Sequence, residues 1–494
     1  MASIRTNLDR TDSQFLVNQI QGYNITSSIV TQELTGLYGT EVLTDMADIL
    51  KAYKIYFQGS EFTVDAHEDT IPSRWSSKQV KTLIDKEARF MFAESPDIRL
   101  KDITSDSSDN SRIRANEELI KKVLRENNFN SKLIRAAKDC LIGKRIAIIA
   151  NFNQSEGITV SFIPSLEFVY EVDEANSDKI VKFIQFFNIN DTKDKGEQRI
   201  YKKKWYMENG ICRVVEEIYD GRGFVVETLT PDQATKFKYI PAAVVINDGL
   251  TGDLLGISET EALEETESYY SKLANKDIDS LRKGTDQITY AIDASPKSTK
   301  NLSRAPGSFW DIESDVVREG ATAQVGTLDN PMSYSPALDT TLLRLRTSMY
   351  GLVDVPDTSN EALQGMITSG KTMQAIYWGL MVRCNEKMLD WIPAFKHIVE
   401  SILEGARLYP EIKNQYTTEA IVDDYEIIVE NSYPIMQDEA EEKASDILEV
   451  EANVRSRKSY MKKWFGMTDV DVDNELEQIL KEKEMLEHEN YTAE

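Results

Sequence analysis

The chain has 494 residues, 41% of them apolar, so it is long enough to hold more than one domain with substantial cores. Its 83 acidic residues outnumber its 57 basic residues and give a net charge of −26. This balance argues against a protein that grips free double-stranded DNA, since such proteins carry a basic excess that neutralises phosphates. It suits a soluble surface, or one past which DNA slides without sticking.

The cysteines, the histidines and the hydropathy pattern argue against a disulfide-stabilised, a metal-binding and a membrane protein. The cysteines Cys140, Cys212 and Cys384 are far apart and form no C-x-x-C pair, which favours a reducing compartment over a disulfide framework. The three histidines are too scattered for a histidine-based metal site, and no metal or other cofactor is predicted. No run of 18 apolar residues occurs, so no membrane span is predicted, and the polar N-terminus does not resemble a signal peptide.

The first 255 residues are predicted to form an α+β domain, because helices are followed by a run of short strands. Residues 1–40 are polar and predict a mobile arm. Apolar residues spaced by three and four predict helices at 75–92, 115–127 and 131–142. Short β-branched runs predict strands at 145–150, 159–163, 169–172, 180–188, 212–219, 224–229 and 242–246.

Two predicted helices then flank a small β-rich insert. Ser258 and Glu261 form a capping box at the start of a helix over 258–283, and Ser335-Pro336 opens the second helix. The first helix has only a thin apolar seam, so it needs a partner such as an identical neighbour. Its glutamates are read as solvated, although they would repel DNA phosphates if the helix lined a channel. The seam residues on the two helices are Leu263, Tyr270, Ile278, Leu338, Leu342 and Leu345.

The insert between these helices, residues 285–330, is punctuated by prolines and glycines. Strands are predicted near 287–292, 308–312 and 323–328. Phe309 and Trp310 have two readings: they form the insert's own core, or they form an exposed docking patch for a partner.

The longest regular pattern follows, in the stretch from Leu352 to Leu408. A polar loop precedes a helix predicted over 371–407, whose one face is apolar from Met373 to Ile402. Pro393 lies inside that helix and predicts a kink. A strand at 425–430 and acidic helices at 438–454 and 473–487 end the chain.

At the joint of loop and helix, residues 365–372 satisfy the phosphate-loop pattern G-x-x-x-x-G-K-[ST]. A working phosphate loop follows a buried parallel strand and needs a second, acid-terminated strand downstream. The residues before Gly365 do not read as such a strand, and the downstream candidates are short. The pattern is therefore interpreted as a chance match, with Lys371 as a solvated or pore-facing cation. A phosphate-loop NTPase using Gly365–Thr372 is the alternative.

Several short segments share their order and spacing with one known family. Departures from the family pattern occur at Ala93-Glu-Ser, which replaces a glycine-containing turn, and at Glu259, which replaces a common aspartate. Together the segments resemble portal proteins of tailed phages, of the type found in siphophages of Gram-positive hosts, over about residues 75–487. The segments are KTLIDKEARFMFAESPDI (81–98), IGKR (142–145), IPSLEF (163–168), LLGISETE (254–261), Val355-Pro-Asp357 with Leu363 and Ser369-Gly370, and Asp473-x-Glu475-x-Glu477.

The resemblance implies an α+β portal fold with an α/β wing, a two-helix stem, a small β-rich clip, a long kinked helix and a helical crown. By position, the expected parts are the wing at 1–255, the stem helices at 256–284 and 335–351, the clip at 285–334, the tunnel loop at 352–369, the long wing helix at 370–392 and the crown at 393–494.

The resemblance also implies a structural protein without catalytic residues. It would form a ring, expected to be a dodecamer, at one capsid vertex, nucleate capsid assembly, and let double-stranded DNA pass during packaging and ejection. Expected partners are DNA bound without sequence specificity, the terminase large subunit, the scaffold and major capsid proteins, and the head–tail adaptor. The expected location is the virion, with assembly in the host cytoplasm.

Two sets of site residues follow from the resemblance. The first would line the DNA channel at the tunnel loop, and the second would dock partners at the clip. They are Asp354, Asp357, Asn360, Glu361, Gln364, Gly365 and Lys371 for the loop, and Arg304, Phe309 and Trp310 for the clip.

Overall fold

The computed structural model describes residues 41–63, 72–102, 110–190, 194, 196–285, 288–299, 311–315, 320, 322–328, 334–358, 370–434, 439–467 and 469–491. Helices and strands are mixed in these ranges, as expected of an α+β protein. The chain divides into two compact units. The first comprises Met1–Val355 and Leu380–Tyr433, and the second comprises Pro356–Gly379 and Pro434–Glu494.

Four helices form one layer of the first unit. Helix α4 is central, because it packs against the other three and against the sheet that follows it. It ends at Gly143, one residue beyond the predicted bound, and the left-handed residue that stops it is Lys144, with φ of 68°. The helices are α1 (Glu41–Gln58), α2 (Gln79–Met91), α3 (Asn110–Glu126) and α4 (Phe129–Gly143), and strand β1 (Asp97–Asp102) lies between α2 and α3 in the chain.

Two antiparallel sheets follow. Three strands pair in the order β3-β2-β9, and five strands form a meander in the order β4-β5-β6-β7-β8. All seven predicted strands are present, whereas β6 was not predicted. The strands are β2 (Arg145–Asn153), β3 (Gly157–Pro164), β4 (Phe168–Asp173), β5 (Asn176–Asn188), β6 (Arg199–Glu208), β7 (Ile211–Asp220), β8 (Val225–Ala234) and β9 (Ala242–Ile246).

The two sheets share a hydrophobic core. Phe168, Phe183 and Trp205 of the five-stranded sheet are buried together with Ala147 and Ile149 of β2. The rings of Phe168 and Phe183 stack at 5.4 Å, and Trp205 meets Phe183 edge-on at 5.8 Å. Such aromatic contacts add to the stabilisation that burial provides.

A pair of helices with a small strand pair between them in the chain completes this part of the first unit. Helices α5 and α7 pack against each other, and β10 pairs antiparallel with β11. Of the third predicted strand, 308–312, residues 311 and 312 are not in a strand and the rest lies outside the described residues. The elements are α5 (Glu259–Thr285), β10 (Ile288–Ile292), α6 (Pro296–Thr299), β11 (Gln324–Leu328) and α7 (Ser335–Leu352).

The long helix α8 runs from Gly370 to Leu408 and continues through Pro393. From Leu380 onward the predicted apolar face is buried in the first unit, including Cys384, Trp391 and Ile402. A methyl group on Gly405 would lie only 2.0 Å from the Phe152 ring, so glycine lets this ring pack directly on the helix. After the short helix α9 (Pro410–Lys413), strand β12 (Tyr425–Glu430) pairs antiparallel with β1.

The second unit contains three helices after residue 434, of which the first and third are acidic and the middle one is basic. Asp446 joins the first two, because it accepts hydrogen bonds from Lys463 Nζ at 2.9 Å and Trp464 Nε1 at 2.7 Å. Lys458 pairs with Asp473 of the third helix at 2.7 Å. The middle helix was not predicted. The helices are α10 (Glu439–Glu451), α11 (Arg457–Phe465) and α12 (Asp469–Tyr491).

Candidate functional site at the start of helix α5

One face of helix α5 carries polar residues every four positions: Glu267, Ser271, Asn275 and Asp279. Residues four apart lie on the same side of a helix, so these side chains form one row. The row faces the extended segment 72–78 and the start of α2, and it binds their backbone groups. We call this row and the segment it holds the strap contact. The prediction that the glutamates of this helix are solvated is wrong for Glu267, which is buried.

Glu267, like Ser271 of the same row, is fully buried. Its Oε2 accepts hydrogen bonds from Ser60 N at 2.9 Å and Ser60 Oγ at 2.7 Å. Its Oε1 accepts from Ser77 Oγ at 3.2 Å and Val80 N at 3.3 Å. Val80 is in the first turn of α2, whose own N-cap residue gives no side-chain cap. The carboxylate therefore satisfies a free N–H at a helix end where negative charge is favoured.

At the other end of the row, Asn275 and Asp279 bind the start of segment 72–78. Trp75 N donates to Asn275 Oδ1 at 2.7 Å, and Asn275 Nδ2 donates to Trp75 O at 2.6 Å. Asp279 accepts from Ser73 N at 3.0 Å and Ser73 Oγ at 2.7 Å. From Glu267 to Asp279 the row extends about 18 Å along the helix, at 1.5 Å per residue. The segment is therefore fixed along several turns of α5.

A cluster of four charged residues lies where α5 begins. Glu259 accepts from Arg383 Nη2 at 2.7 and 2.6 Å and from Lys387 Nζ at 2.6 Å. Glu87 of α2 accepts from Arg383 Nε at 3.1 Å, and Lys387 also donates to Asn247 Oδ1 at 2.7 Å. The side chains of Glu87, Glu259 and Lys387 are 9% exposed or less. We call these residues, apart from Asn247, the four-charge cluster; it joins α2, α5 and α8.

The two carboxyl groups of the cluster differ in acidity although they share both cations. Burial and the neighbouring Glu259 raise the pKa of Glu87 to about 7. Burial also acts to raise the pKa of Glu259, but Lys387 and Arg383 outweigh it and hold that pKa below its usual value. Glu87 Oε2 is buried without a hydrogen-bond partner. Such an atom carries a desolvation cost, so Glu87 is the more easily protonated member.

A second buried contact fixes the chain just before α5. Arg145 donates through Nη2 to Asp45 at 2.7 Å and through Nη1 to Leu255 O at 2.9 Å. Gly256 adopts φ of 74°, and a Cβ there would lie 2.5 Å from Lys144 O. A residue other than glycine would meet both strain and a clash at this position. Ser258 Oγ accepts from Thr260 N at 3.2 Å, which confirms the predicted N-cap.

The predicted seam residues have different environments. Leu263 is fully buried, Tyr270, Leu338, Leu342 and Leu345 are half-buried, and Ile278 is exposed. Part of the apolar surface is thus covered within the chain, because α5 and α7 pack against each other. Tyr334 Oη lies 3.5 Å from Asp277 Oδ1, so the start of α7 lies beside the second half of α5.

The predicted loop and clip residues are only partly described. Asp354 is exposed with φ of 50°, between the buried Val353 and Val355, and Asp357 is half-buried. Lys371 is in the first turn of α8, and nothing is described of its side chain. The remaining predicted residues lie outside the described ranges. They are Asn360, Glu361, Gln364 and Gly365 of the loop, and Arg304, Phe309 and Trp310 of the clip.

Sequence reasoning missed the strap contact and the four-charge cluster. A signal was present for both. Four polar residues at four-residue spacing mark a helix face that can bind backbone groups. Arg383 and Lys387 are also four apart, and each directly precedes a residue of the apolar face, Cys384 or Met388. Within the described ranges, no group of three or more His, Cys, Asp or Glu side chains is arranged to hold a metal ion.

Comparison with known proteins gives the family. The model of the family "Phage portal protein, SPP1 Gp6-like" matches residues 32–489. The chain belongs to this family. The portal resemblance drawn from short segments is therefore confirmed, and the protein is a phage portal protein. In the part of the portal that the structure describes, no helix is both long and apolar enough to cross a membrane.

Among solved structures, a chain from "Neck of empty GTA particle computed with C6 symmetry" is 10% identical to the portal. The match covers 79% of the portal and 90% of that chain, with a TM-score of 0.41. No curated protein matched the sequence.

Proposed function

We propose that the portal forms a ring of identical subunits, expected to be a dodecamer, around a channel for double-stranded DNA. Besides the family, one observation supports this most. Helices α5 and α7 are packed together, yet Tyr269, Ile278, Leu281 and Leu343 remain 55%, 40%, 48% and 60% exposed. Exposed apolar residues on both helices of a pair are suited to burial against a neighbouring subunit.

The strap contact fixes α5 within its own subunit, which suits a helix that contacts neighbouring subunits in such a ring. Its polar row is occupied by segment 72–80 of the same subunit, so only the remaining faces are free for neighbours. The acidic surface, with a net charge of −26, suits a channel that DNA passes without adhering. We assign α5 and α7 to the stem and the strand pair β10–β11 to the clip.

The remaining domains are assigned by position. We assign residues 1–255 to the wing and residues 370–392 to the long wing helix. Strand β12 pairs with β1 in the first unit, and α10, α11 and α12 belong to the second. This division favours a crown that begins near residue 434, later than the position 393 expected from the sequence.

We propose that residues 352–369 form the tunnel loop and contact DNA, with Lys371 as a charge beside the passage. The clip, with Arg304, Phe309 and Trp310, would dock the terminase large subunit during packaging and the head–tail adaptor afterwards. Scaffold and major capsid proteins would surround the ring at one vertex of the virion. These assignments rest on the family and on chain order.

A structural role without catalysis fits the sheets as well as the family. Every strand pair in the described residues is antiparallel, whereas a phosphate-loop NTPase is built on a parallel sheet. Residues 353–358, just after α7, form no strand. These observations favour a loop-to-helix boundary over a nucleotide site at Gly365–Thr372.

The tunnel-loop assignment is tested by substitutions between Asn360 and Met366. We expect them to impair DNA packaging while the purified protein still forms rings, as seen by electron microscopy and native mass measurement. Alanine substitution of the exposed Glu118 on α3 is the control, and it should affect neither readout. Normal packaging across the loop series would remove this assignment.

A further inference from the structure

A cleft of about 560 Å³ opens in the first unit beside the core of the two sheets. This volume lies within the range of about 300–1,000 Å³ typical of ligand sites. The cleft is lined by residues of β2, β3, β6, β7 and β8, by the turn between β2 and β3 with the exposed Glu156, by the segment that leads into β9, and by Tyr409 after the long helix. We call it the sheet cleft. None of its lining residues belongs to α5, α7 or the strand pair β10–β11.

Lys203 of strand β6 lines the sheet cleft. Side chains alternate along a strand, so Lys203 and Trp205 share one face, and Lys202 and Lys204 lie on the other. The Lys203 side chain is only 17% exposed. Its ammonium donates to Asn151 Oδ1 at 3.0 Å and lies 4.8 Å from the centre of the Trp205 ring. An ammonium has three N–H donors, and among the described residues it forms only this one hydrogen bond.

The carboxylate beside Lys203 does not form a hydrogen bond with its ammonium. Glu216 Oε2 is 3.9 Å from Lys203 Nζ, beyond hydrogen-bonding distance. Glu216 instead accepts hydrogen bonds from Tyr201 Oη and, at 3.0 Å, from Thr230 Oγ1. Burial lowers the pKa of Lys203, and Glu216 offsets this only in part. A further anion in the cleft would therefore gain a buried cation with donors to spare.

One wall of the cleft is aromatic. Phe152 packs against Phe237 at 5.0 Å and stacks with Tyr409 at 6.1 Å. Lys236 lies over the Tyr409 ring at 4.8 Å, which adds a second positive charge beside this wall. A ligand with an apolar ring and a carboxylate would meet both features at once.

We propose that the sheet cleft is a docking site for a protein segment that carries a carboxylate next to an aromatic side chain. The carboxylate binds Lys203, and the aromatic ring packs against Phe152, Phe237 and Tyr409. Charge complementarity selects this partner. The protein as a whole is strongly acidic and repels acidic partners, so a buried lysine marks the place where one can bind.

The test uses the full chain and two small probes that differ only in charge. N-acetyl-L-phenylalanine has a ring and a carboxylate, and N-acetyl-L-phenylalaninamide has the ring alone. Binding is measured by saturation-transfer NMR titration. We expect the carboxylate to bind at least about tenfold more tightly than the amide, the factor that a charge-assisted hydrogen bond supplies.

Two substitutions test whether the preference for the carboxylate depends on Lys203. Lys203→Met keeps the apolar stem of the side chain and should remove the preference for the carboxylate. Lys204→Met, on the opposite face of β6, should keep it. Equal binding of the two probes by the native chain would overturn the proposal, whether or not Lys203→Met folds. So would a preference that Lys203→Met leaves unchanged, which would indicate binding elsewhere.

Discussion

At the scale of single residues, the four-charge cluster shows how two glutamates with common partners acquire different acidities. Glu259 lies between Arg383 and Lys387 and stays ionised. Glu87 has one contact with Arg383 at 3.1 Å and a longer one with Lys387 at 3.7 Å. The charged side chains that face Glu87 are Glu259 from α5 and the two cations from α8. Glu87 is therefore the residue of this cluster that is protonated first as the pH falls.

This acidity predicts a pH effect on stability. The pKa of Glu87 is raised to about 7 in the folded state, above the ordinary value that it has in the unfolded chain. The resulting stabilisation is complete below that ordinary value and is lost as pH rises through about 7. The loss is of the order of 3 kcal/mol, at about 1.4 kcal/mol per pKa unit.

Glu87→Gln removes this titration. Calorimetry of both proteins between pH 5 and 8 should show the native melting temperature falling relative to the variant as pH rises. Glu118→Gln, at an exposed position of α3, should follow the native curve. A constant difference between native protein and Glu87→Gln at all pH values would mean that Glu87 does not titrate in this range.

At the scale of elements, the strap contact joins α5 to the extended segment 72–78 and to the start of α2. Asn275 pairs with both backbone groups of Trp75, much as a neighbouring strand would. Asn275→Ala leaves these groups unpaired, at a cost of about 1–3 kcal/mol for a buried group. We expect faster hydrogen exchange in residues 72–80, measured by mass spectrometry.

The matched control is Glu265→Ala, at an exposed position of the same helix. It should leave exchange in the segment at the native rate. If Asn275→Ala also leaves it unchanged, the segment is held by other contacts, and the row of polar residues is not what fixes it.

Much of the element pattern could be predicted, because local periodicity carries it. The strands Ala242–Ile246 and Tyr425–Glu430 have the predicted bounds, and α8 is only one residue longer at each end. Strand β6 was missed because three successive lysines interrupt its apolar alternation. The strap contact was missed because its partners are about 200 residues apart, and a single sequence does not show which distant segments meet.

At the scale of the whole molecule, the proposed ring places the exposed residues of α5 and α7 between subunits. Leu343→Asp puts a charge at a side chain that is 60% exposed in the single subunit. It should leave the subunit folded, because little is buried there, but weaken assembly by at least tenfold, since a charge in an apolar interface is costly.

Native mass measurement and sedimentation of the variant follow assembly directly. Ser348→Asp introduces the same charge at an exposed polar position of α7 and serves as the control. Rings that form equally well with Leu343→Asp would place the subunit interface elsewhere.

The pairing of β1 with β12 has a consequence for the order in which the portal is made. Arg99 pairs with Glu430, which is 331 positions later in the chain. At roughly 5–20 residues per second, a ribosome needs about 15–65 s to make the intervening chain. During that time β1 has no partner strand. A nascent portal thus cannot complete its first unit until the chain has been translated beyond residue 430, which delays assembly-competent surfaces until then.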